Sequence, residues 1–312
     1  CAKKIDENSF FYFFPLSTTR ANMEDTWDKD IESMITAEAV CIGEGAFGQI
    51  FLSKDGKAMK HFQTEDKGKF LHEVSILEKI QNDWRQGFVQ YLYSITTPNF
   101  CIIFEHLEIT LIDYVFQNTF SSKEKDHICA SVLFSISNAL MFLHERKRLF
   151  HMDIKGNNIM RRGDQWVLID FGSCIPTDTP KEAIVRCKDF AENIIGTFCL
   201  QPREALLMVL NWYKCLKPKK DLYLDTSLDT YCLASTLCVM ISGKYPNGHF
   251  DSEVRHIPEI LNNISKREWE RDEALKKSSL FPLLSQMLHI DQKKRPWTSQ
   301  VVFELSNKIK LN

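Results

Sequence analysis

From Ala39 the chain breaks into short apolar stretches separated by polar or glycine-containing turns: Val40-Cys41-Ile42, Gln49-Ile50-Phe51-Leu52 and Lys57-Ala58-Met59-Lys60. Runs this short, bounded by turn residues, predict strands. Lys54-Asp55-Gly56, between the last two, predicts a hairpin turn. The period then changes. Over Lys67–Ile80 the apolar residues Phe70, Val74, Leu77 and Ile80 fall at spacings of three or four, which places them on one helical face. Two further strands are predicted around Val89–Ile95 and Phe100–Phe104, joined by Thr97-Pro98-Asn99.

Beyond Leu107 the pattern is helical. Asp126–Glu145 carries Val132, Leu133, Phe134, Ile136, Leu140 and Leu143, and Leu228–Ser242 is apolar nearly all round, as a helix inside a lobe must be. Strands first and helices second predict an α+β fold in two lobes. The smaller lobe, about residues 38–105, is an antiparallel sheet with one main helix; the larger, about 108–310, is mainly helical. Residues 1–37 show no period beyond the run Phe10–Phe14, closed by Pro15, and are expected to be an extension laying its rings on the domain surface. A first residue Cys1 rather than Met carries the expectation of a piece of a longer chain.

Composition narrows the function classes. At 44% hydrophobic and 26% charged, the 312 residues have the make-up of a folded domain rather than a disordered segment. A formal net charge of −2 gives no electrostatic reason to expect a nucleic acid or an anionic membrane as partner. The aromatic run is too short to span a bilayer. Ten cysteines stand singly with no CxxC pair, and several lie in apolar runs such as Cys101-Ile102-Ile103-Phe104. Buried thiols in a reducing compartment, cytoplasmic or nuclear, explain this better than disulfides or a zinc site.

Three constellations carry chemistry. In Ile42-Gly43-Glu44-Gly45-Ala46-Phe47-Gly48-Gln49-Ile50, glycines at 43, 45 and 48 let a hairpin backbone close over a polyphosphate, where a Cβ would hold it off. A strand follows, whereas a dinucleotide-binding turn needs a helix there. Next come Lys60 on the third strand and Glu73 on the first helix: a lysine beneath the glycine loop can hold phosphates, and a helix glutamate can fix its position. Such a pair is ordinarily two solvated surface charges and gains weight only from its neighbours. The third is His151-Met152-Asp153-Ile154-Lys155-Gly156-Asn157-Asn158, followed by Asp170-Phe171-Gly172. Asp153 can orient an attacking hydroxyl and accept its proton. Asn158 and Asp170 offer hard oxygen ligands for a divalent metal, and Lys155 can neutralise charge on a transferring phosphoryl group.

In this order the motifs resemble the eukaryotic-type protein kinases, from about Val40 to Ile309. The resemblance implies ATP and Mg2+ as cofactors and serine or threonine hydroxyls of proteins as acceptors. It further implies that Phe104 is the gatekeeper beside the adenine, that the backbone of Glu105-His106-Leu107 binds the base, and that Ile50, Ala58 and Met160 sandwich it. Gly196-Thr197 with Glu204 is similar to the end of the family's activation segment, Asp229 to the buried aspartate that anchors the catalytic loop, and Arg295 to the arginine that pairs with Glu204.

The chain departs from the pattern in three places. Met152 stands where most members carry the arginine that pairs with a phosphorylated activation segment. Pro202-Arg203-Glu204 replaces Ala-Pro-Glu. The stretch between Glu204 and Asp229 is long, and is expected to hold an extra helix and a basic turn at Lys217–Lys220. The leading reading is an active serine/threonine kinase. A pseudokinase scaffold, a dual-specificity kinase and a small-molecule kinase on the same fold are the alternatives, and the subfamily is left open.

Overall fold

The computed structural model describes residues 40–45, 48–96, 100–177, 182–185, 197–213, 222–250 and 253–310. The expected extension at 1–37, the tip Ala46-Phe47 of the glycine hairpin and the basic turn at 217–220 lie outside the described residues.

The N-terminal lobe is a five-stranded antiparallel sheet of β1 (Val40–Gly45), β2 (Gly48–Leu52), β3 (Lys57–Phe62), β4 (Tyr91–Ile95) and β5 (Phe100–Glu105), in the order β1-β2-β3-β5-β4. The β2–β3 hairpin turns where Lys54-Asp55-Gly56 predicts it: Gly56 donates to the Ser53 carbonyl at 3.0 Å and takes φ 75°, a conformation open to glycine without strain. The register sets Ile50 opposite Lys60 and Lys60 opposite Ile102. Side chains alternate along a strand, so Ala58 and Lys60 share one face of β3.

Helix α1 runs over Lys67–Ile80 as predicted and buries Phe70, Val74, Leu77 and Ile80. It has no side-chain cap at Asp66. Its stability therefore comes from packing, including Phe70 against Phe62 at 5.6 Å edge-to-face and against Phe100 at 5.1 Å.

The C-terminal lobe opens with α2 (Leu111–Gln117) and α3 (Ser122–Phe142). Helix α3 starts before Asp126 because Ser121 and Glu124 form a reciprocal capping box. It passes at Leu143 into a π-helical turn, Leu143–Lys147, that ends at Arg148 with φ 58°. By length and composition the span Ser122–Lys147 is apolar enough to cross a membrane. Its residues Val132, Leu133, Ile136 and Leu140 are instead buried in the core, which accounts for that composition.

Two small sheets carry the loops of interest: β6 (Leu149–Phe150) pairs with β9 (Ile175–Pro176), and β7 (Ile159–Arg162) with β8 (Gln165–Leu168). Beyond them lie α4 (Arg203–Tyr213) and α5 (Ser227–Ser242), the latter buried continuously from Ser227 to Met240. Four more helices follow: α6 (Ile257–Lys266), α7 (Glu273–Lys277), α8 (Phe281–Met287) and α9 (Thr298–Lys310). A pairing the sequence does not announce joins β10 (Glu182–Val185) to β11 (Leu222–Asp225), antiparallel, with Glu182 opposite Asp225. One contiguous apolar core runs from Phe62 and Phe70 through Phe88 and Phe171 to Leu305.

Candidate active site

Strand β3 presents Lys60 and helix α1 presents Glu73, with Nζ 2.7 Å from Glu73 Oε2. Both are buried, Glu73 to 1% exposure, so these are not the solvated surface charges that each residue alone would suggest. The same ammonium lies 2.9 Å from Asp170 Oδ1, across the cleft between the lobes. Burial opposes the charge on Lys60, but the carboxylates of Asp170 and Glu73 outweigh it and hold the ammonium well above its usual range. Burial likewise opposes the charge of Asp170, yet Lys60 and, more weakly, Lys155 and His151 bring its carboxyl down to about 2. Burial pushes Glu73 up to about 7 against the pull of Lys60, and its Oε1 has no hydrogen-bond partner among the described residues. A Cβ on Gly172 would lie 3.0 Å from Glu73 Oε2 and 3.4 Å from Asp170 Oδ1, so that glycine lets the turn pass close against the cluster.

Asp170 takes φ 59°, a left-handed backbone that costs a non-glycine residue energy and recurs at functional sites. Its neighbour Phe171 turns the other way, into the core. The ring is fully buried, 5.8 Å from Phe88 edge-to-face and 5.3 Å from the His151 ring.

The loop between β6 and β7 brings Asp153, Lys155 and Asn158 together. Asp153 Oδ2 accepts from Lys155 Nζ at 2.8 Å and from Asn158 Nδ2 at 2.9 Å, and the same amide donates to the Asp153 carbonyl at 2.8 Å. The carboxylate is thus oriented by two donors.

The loop is fixed from below by Asp229 on α5, buried to 1%. Its carboxylate accepts the N–H of His151 at 2.8 Å and of Met152 at 2.9 Å, and lies 2.9 Å from His144 Nε2. A carboxylate only accepts, so Nε2 carries a proton, while Nδ1 lies 3.0 Å from the Thr298 hydroxyl. Met152 has φ 71° and is buried, a strained backbone that these bonds hold in place. Gln201 adds a 3.4 Å bond from its amide to the Met152 carbonyl. Neither His144 nor Gln201 was singled out from the sequence, and no local pattern marks either.

In the glycine hairpin, β1 and β2 pair from Val40–Leu52 to Gly45–Gly48. Gly48 has φ 154°, and a Cβ there would meet the His61 carbonyl oxygen at 1.8 Å, so no other residue fits. Gly43 faces Ile50, and Ile42 is 46% exposed. The side chain of Glu44 lies outside the described residues, as do Ala46 and Phe47. Gln49 stands opposite His61, and Ile50 and Ala58 lie part-buried on neighbouring strands.

Phe104 and Glu105 end β5 opposite Ala58 and Lys57, and Leu107 is buried in the core just beyond. Met160 on β7 bridges to Thr110, which brings the expected floor of the base pocket to the segment after Leu107. Glu105 also pairs through its side chain with Arg162, a contact the sequence reading does not contain.

At the far end of the activation segment, Glu204 on α4 and Arg295 form a two-pronged pair: Nη1 donates to Oε1, and Nη2 to Oε2 at 3.1 Å. Arg295 is buried and stacks 4.7 Å over the Tyr231 ring. The extra helix expected after Glu204 is α4 itself, which buries Ala205, Leu206, Met208 and Val209. Thr197 precedes a short 3-10 turn, Phe198–Leu200; Gly196 lies outside the described residues.

The sequence matches the protein kinase domain family over residues 37–304. It is 25% identical over 270 residues to the serine/threonine-protein kinase Nek11 of Macaca fascicularis, covering 77% of this chain and 38% of that protein. It is 28% identical over 154 residues to the dual specificity tyrosine-phosphorylation-regulated kinase 2 of Drosophila melanogaster, covering 44% and 21%. With the mouse homeodomain-interacting protein kinase 1 it shares 33% over 149 residues, 42% of this chain and 12% of that one. The chain thus spans well under half the length of these relatives. The family match and the two-lobed architecture with its ordered motifs agree: this chain belongs to the protein kinase family.

Proposed function

We propose that the chain transfers the γ-phosphoryl group of ATP, with Mg2+, to serine and threonine hydroxyls of protein substrates. The observation that carries this reading is the Lys60–Glu73–Asp170 cluster, closed across the cleft and near enough to the catalytic loop for Lys155 to act on Asp170. In a scaffold that had lost phosphotransfer, nothing would require one buried cation held between two carboxylates from opposite lobes.

The residues present fit the implied cofactors. Among the described residues there is no cluster of three or more His, Cys, Asp or Glu of the kind zinc takes. Mg2+ asks for less, one or two protein oxygens alongside substrate phosphates. Asp170, held anionic, and Asn158 would supply those oxygens. Bound Mg2+ supplies positive charge to the phosphate oxygens. Lys60 holds the α- and β-phosphates, while Glu73 keeps its ammonium in place. Asp153, oriented by Lys155 and Asn158, holds the acceptor hydroxyl in line and takes its proton. Lys155 faces charge developing on the γ-phosphate. The backbone of Glu105 and Leu107 meets the adenine edge, and Ile50, Ala58 and Met160 close on its faces.

Serine/threonine acceptors follow from Lys155 and Thr197, as the family resemblance implies, and from the similarity to Nek11. A second reading, dual specificity, is favoured by relatives whose names state it, the Drosophila kinase above and mouse CLK1, 27% identical over 181 residues. Cytoplasm or nucleus suits the thiols of Cys101, Cys129, Cys174, Cys232 and Cys238, all buried and unoxidised. A peptide array with radiolabelled ATP tests the acceptor. Label on serine and threonine peptides alone supports the first reading, label on tyrosine as well supports the second, and label on none contradicts both.

A further inference from the structure

Strand β7 carries more than the floor of the base pocket. Asn158 immediately precedes it, Met160 lies within it and Arg162 ends it. Alternate residues of a strand share a face, so Met160 and Arg162 point to one side. Arg162 makes contacts on three elements of the opposite lobe. Its Nε donates to Glu105 Oε2 at 3.0 Å and its Nη2 to Glu105 Oε1, a fork-on-carboxylate pair at the end of β5. The same Nη2 donates to the Phe88 carbonyl at 2.7 Å, and the guanidinium lies 4.9 Å from the centre of the Trp84 ring. Glu105 Oε1 also accepts the N–H of Gln90 at 2.7 Å. The two side chains are only 19% and 20% exposed, so water screens the pair weakly.

We infer that Arg162 is a positioning residue for the nucleotide, an inference that rests on the ATP-binding reading above. The base meets the backbone of Glu105 and Leu107, while Asn158 and Asp170 hold the metal and Lys60 the phosphates at the other end. Arg162 ties the first of these ends to the strand that leads directly from the second. Arg161, whose N–H donates to the Ile109 carbonyl at 3.0 Å, seats the same strand against the segment that follows Leu107. The separation between base edge and metal-binding residues is thereby set by one short strand with its last side chain locked. Without the guanidinium the Glu105 carboxylate loses its fork and the base edge is free to shift, while the phosphate-binding groups keep all of their own contacts.

The test compares the full chain with Arg162→Met and Arg162→Lys, measuring KM for ATP, KM for an acceptor peptide, kcat, and competition by inorganic tripolyphosphate. Tripolyphosphate engages only the phosphate end. Losing a charge-assisted fork should raise the ATP KM of Arg162→Met about tenfold. Its peptide KM, kcat and tripolyphosphate inhibition constant should stay within about twofold of the wild type, with Arg162→Lys intermediate because a lysine keeps the charge but not the fork. An unchanged ATP KM, or a tripolyphosphate constant that rises in step with it, would overturn the inference: the first shows no role, the second a general loosening. Should Arg162→Met fail to fold, Arg162→Lys and Arg162→Gln give the same comparison. A wild-type chain that binds no ATP overturns the phosphotransfer reading itself; a wild type that binds ATP, matched by its Arg162 variants, overturns only this inference.

Discussion

Asp229 shows how much one buried carboxylate organises. Burial opposes its charge, but the hydrogen bond and charge of His144, with help from His151, hold its carboxyl below the usual range. A folded-state value below the unfolded one stabilises the fold above about pH 4, and that contribution is lost as pH falls through the folded value. The difference in urea midpoint between wild type and Asp229→Asn should therefore be full at pH 6 and shrink steadily below about pH 4. A difference that stays constant to pH 3 would show that Asp229 is not held low. Cysteine reactivity offers a second check at this scale. Burial raises the Cys101 thiol to about 11 and the Cys129 thiol to about 12, whereas Cys41 is exposed. Native protein treated with iodoacetamide at pH 8 should label Cys41 and leave Cys101 and Cys129 intact until denaturant is added, because the thiolate is the nucleophile. As candidate site residues, Lys60, Glu73, Asp153 and Asp170 were legible because their motifs sit at fixed spacings. Arg162 and His144 were not, since their partners lie in other elements and no spacing along the chain points to them.

Among the elements, those with local causes were legible. The β2–β3 hairpin follows from its turn residues and α1 from its apolar period, while the start of α3 lies in the polar pair Ser121 and Glu124, ahead of the apolar run that the period picks out. The β10–β11 pair was not legible, because two four-residue strands at 182–185 and 222–225 leave no period of their own and pair only once the fold brings them together. That pairing gives the activation segment a main-chain partner. Met152, in the place of a phosphate-binding arginine, is buried and locked to Asp229. Arg186 and Lys188 of that segment lie outside the described residues. Activity is accordingly expected to be independent of activation-segment phosphorylation: phosphatase treatment, verified by mass spectrometry, should leave initial rates within about twofold. A large loss restored by rephosphorylating Ser173, Thr177 or Thr179 would contradict this. Glu204 and Arg295 tie α4 to the loop before α9, and removing either partner should cost roughly 3–5 kcal/mol, since it strands the other charge. In a double-mutant cycle the two losses should be far from additive; simple addition would show that the pair is not coupled.

Across the whole molecule the two lobes meet through a few specific ties. Lys147, from the turn after α3, reaches the carbonyl of Lys79 at 2.8 Å and Asp83 at 2.5 Å, beside the C-terminal end of α1. Phe171 packs on Phe88, and Lys60 reaches Asp170. Each tie bears on the elements that present Glu73, Asp170 or the base edge, so the cleft is assembled by the same contacts that join the lobes. The α+β layout was readable as strands followed by helices, but the closure of the cleft was not, because it depends on pairs far apart in the chain, Lys60 and Asp170 being separated by 110 residues. The central claim is that this closed cleft moves a phosphoryl group. The direct measurement is transfer of label from γ-labelled ATP to an acceptor protein by the wild type, Asp153→Asn and Asp170→Ala, all shown to be folded by their thermal melts. Transfer by the wild type, reduced by about two orders of magnitude or more in each variant, is the predicted result. Equal transfer by all three, or none by the folded wild type in the presence of Mg2+, would contradict it.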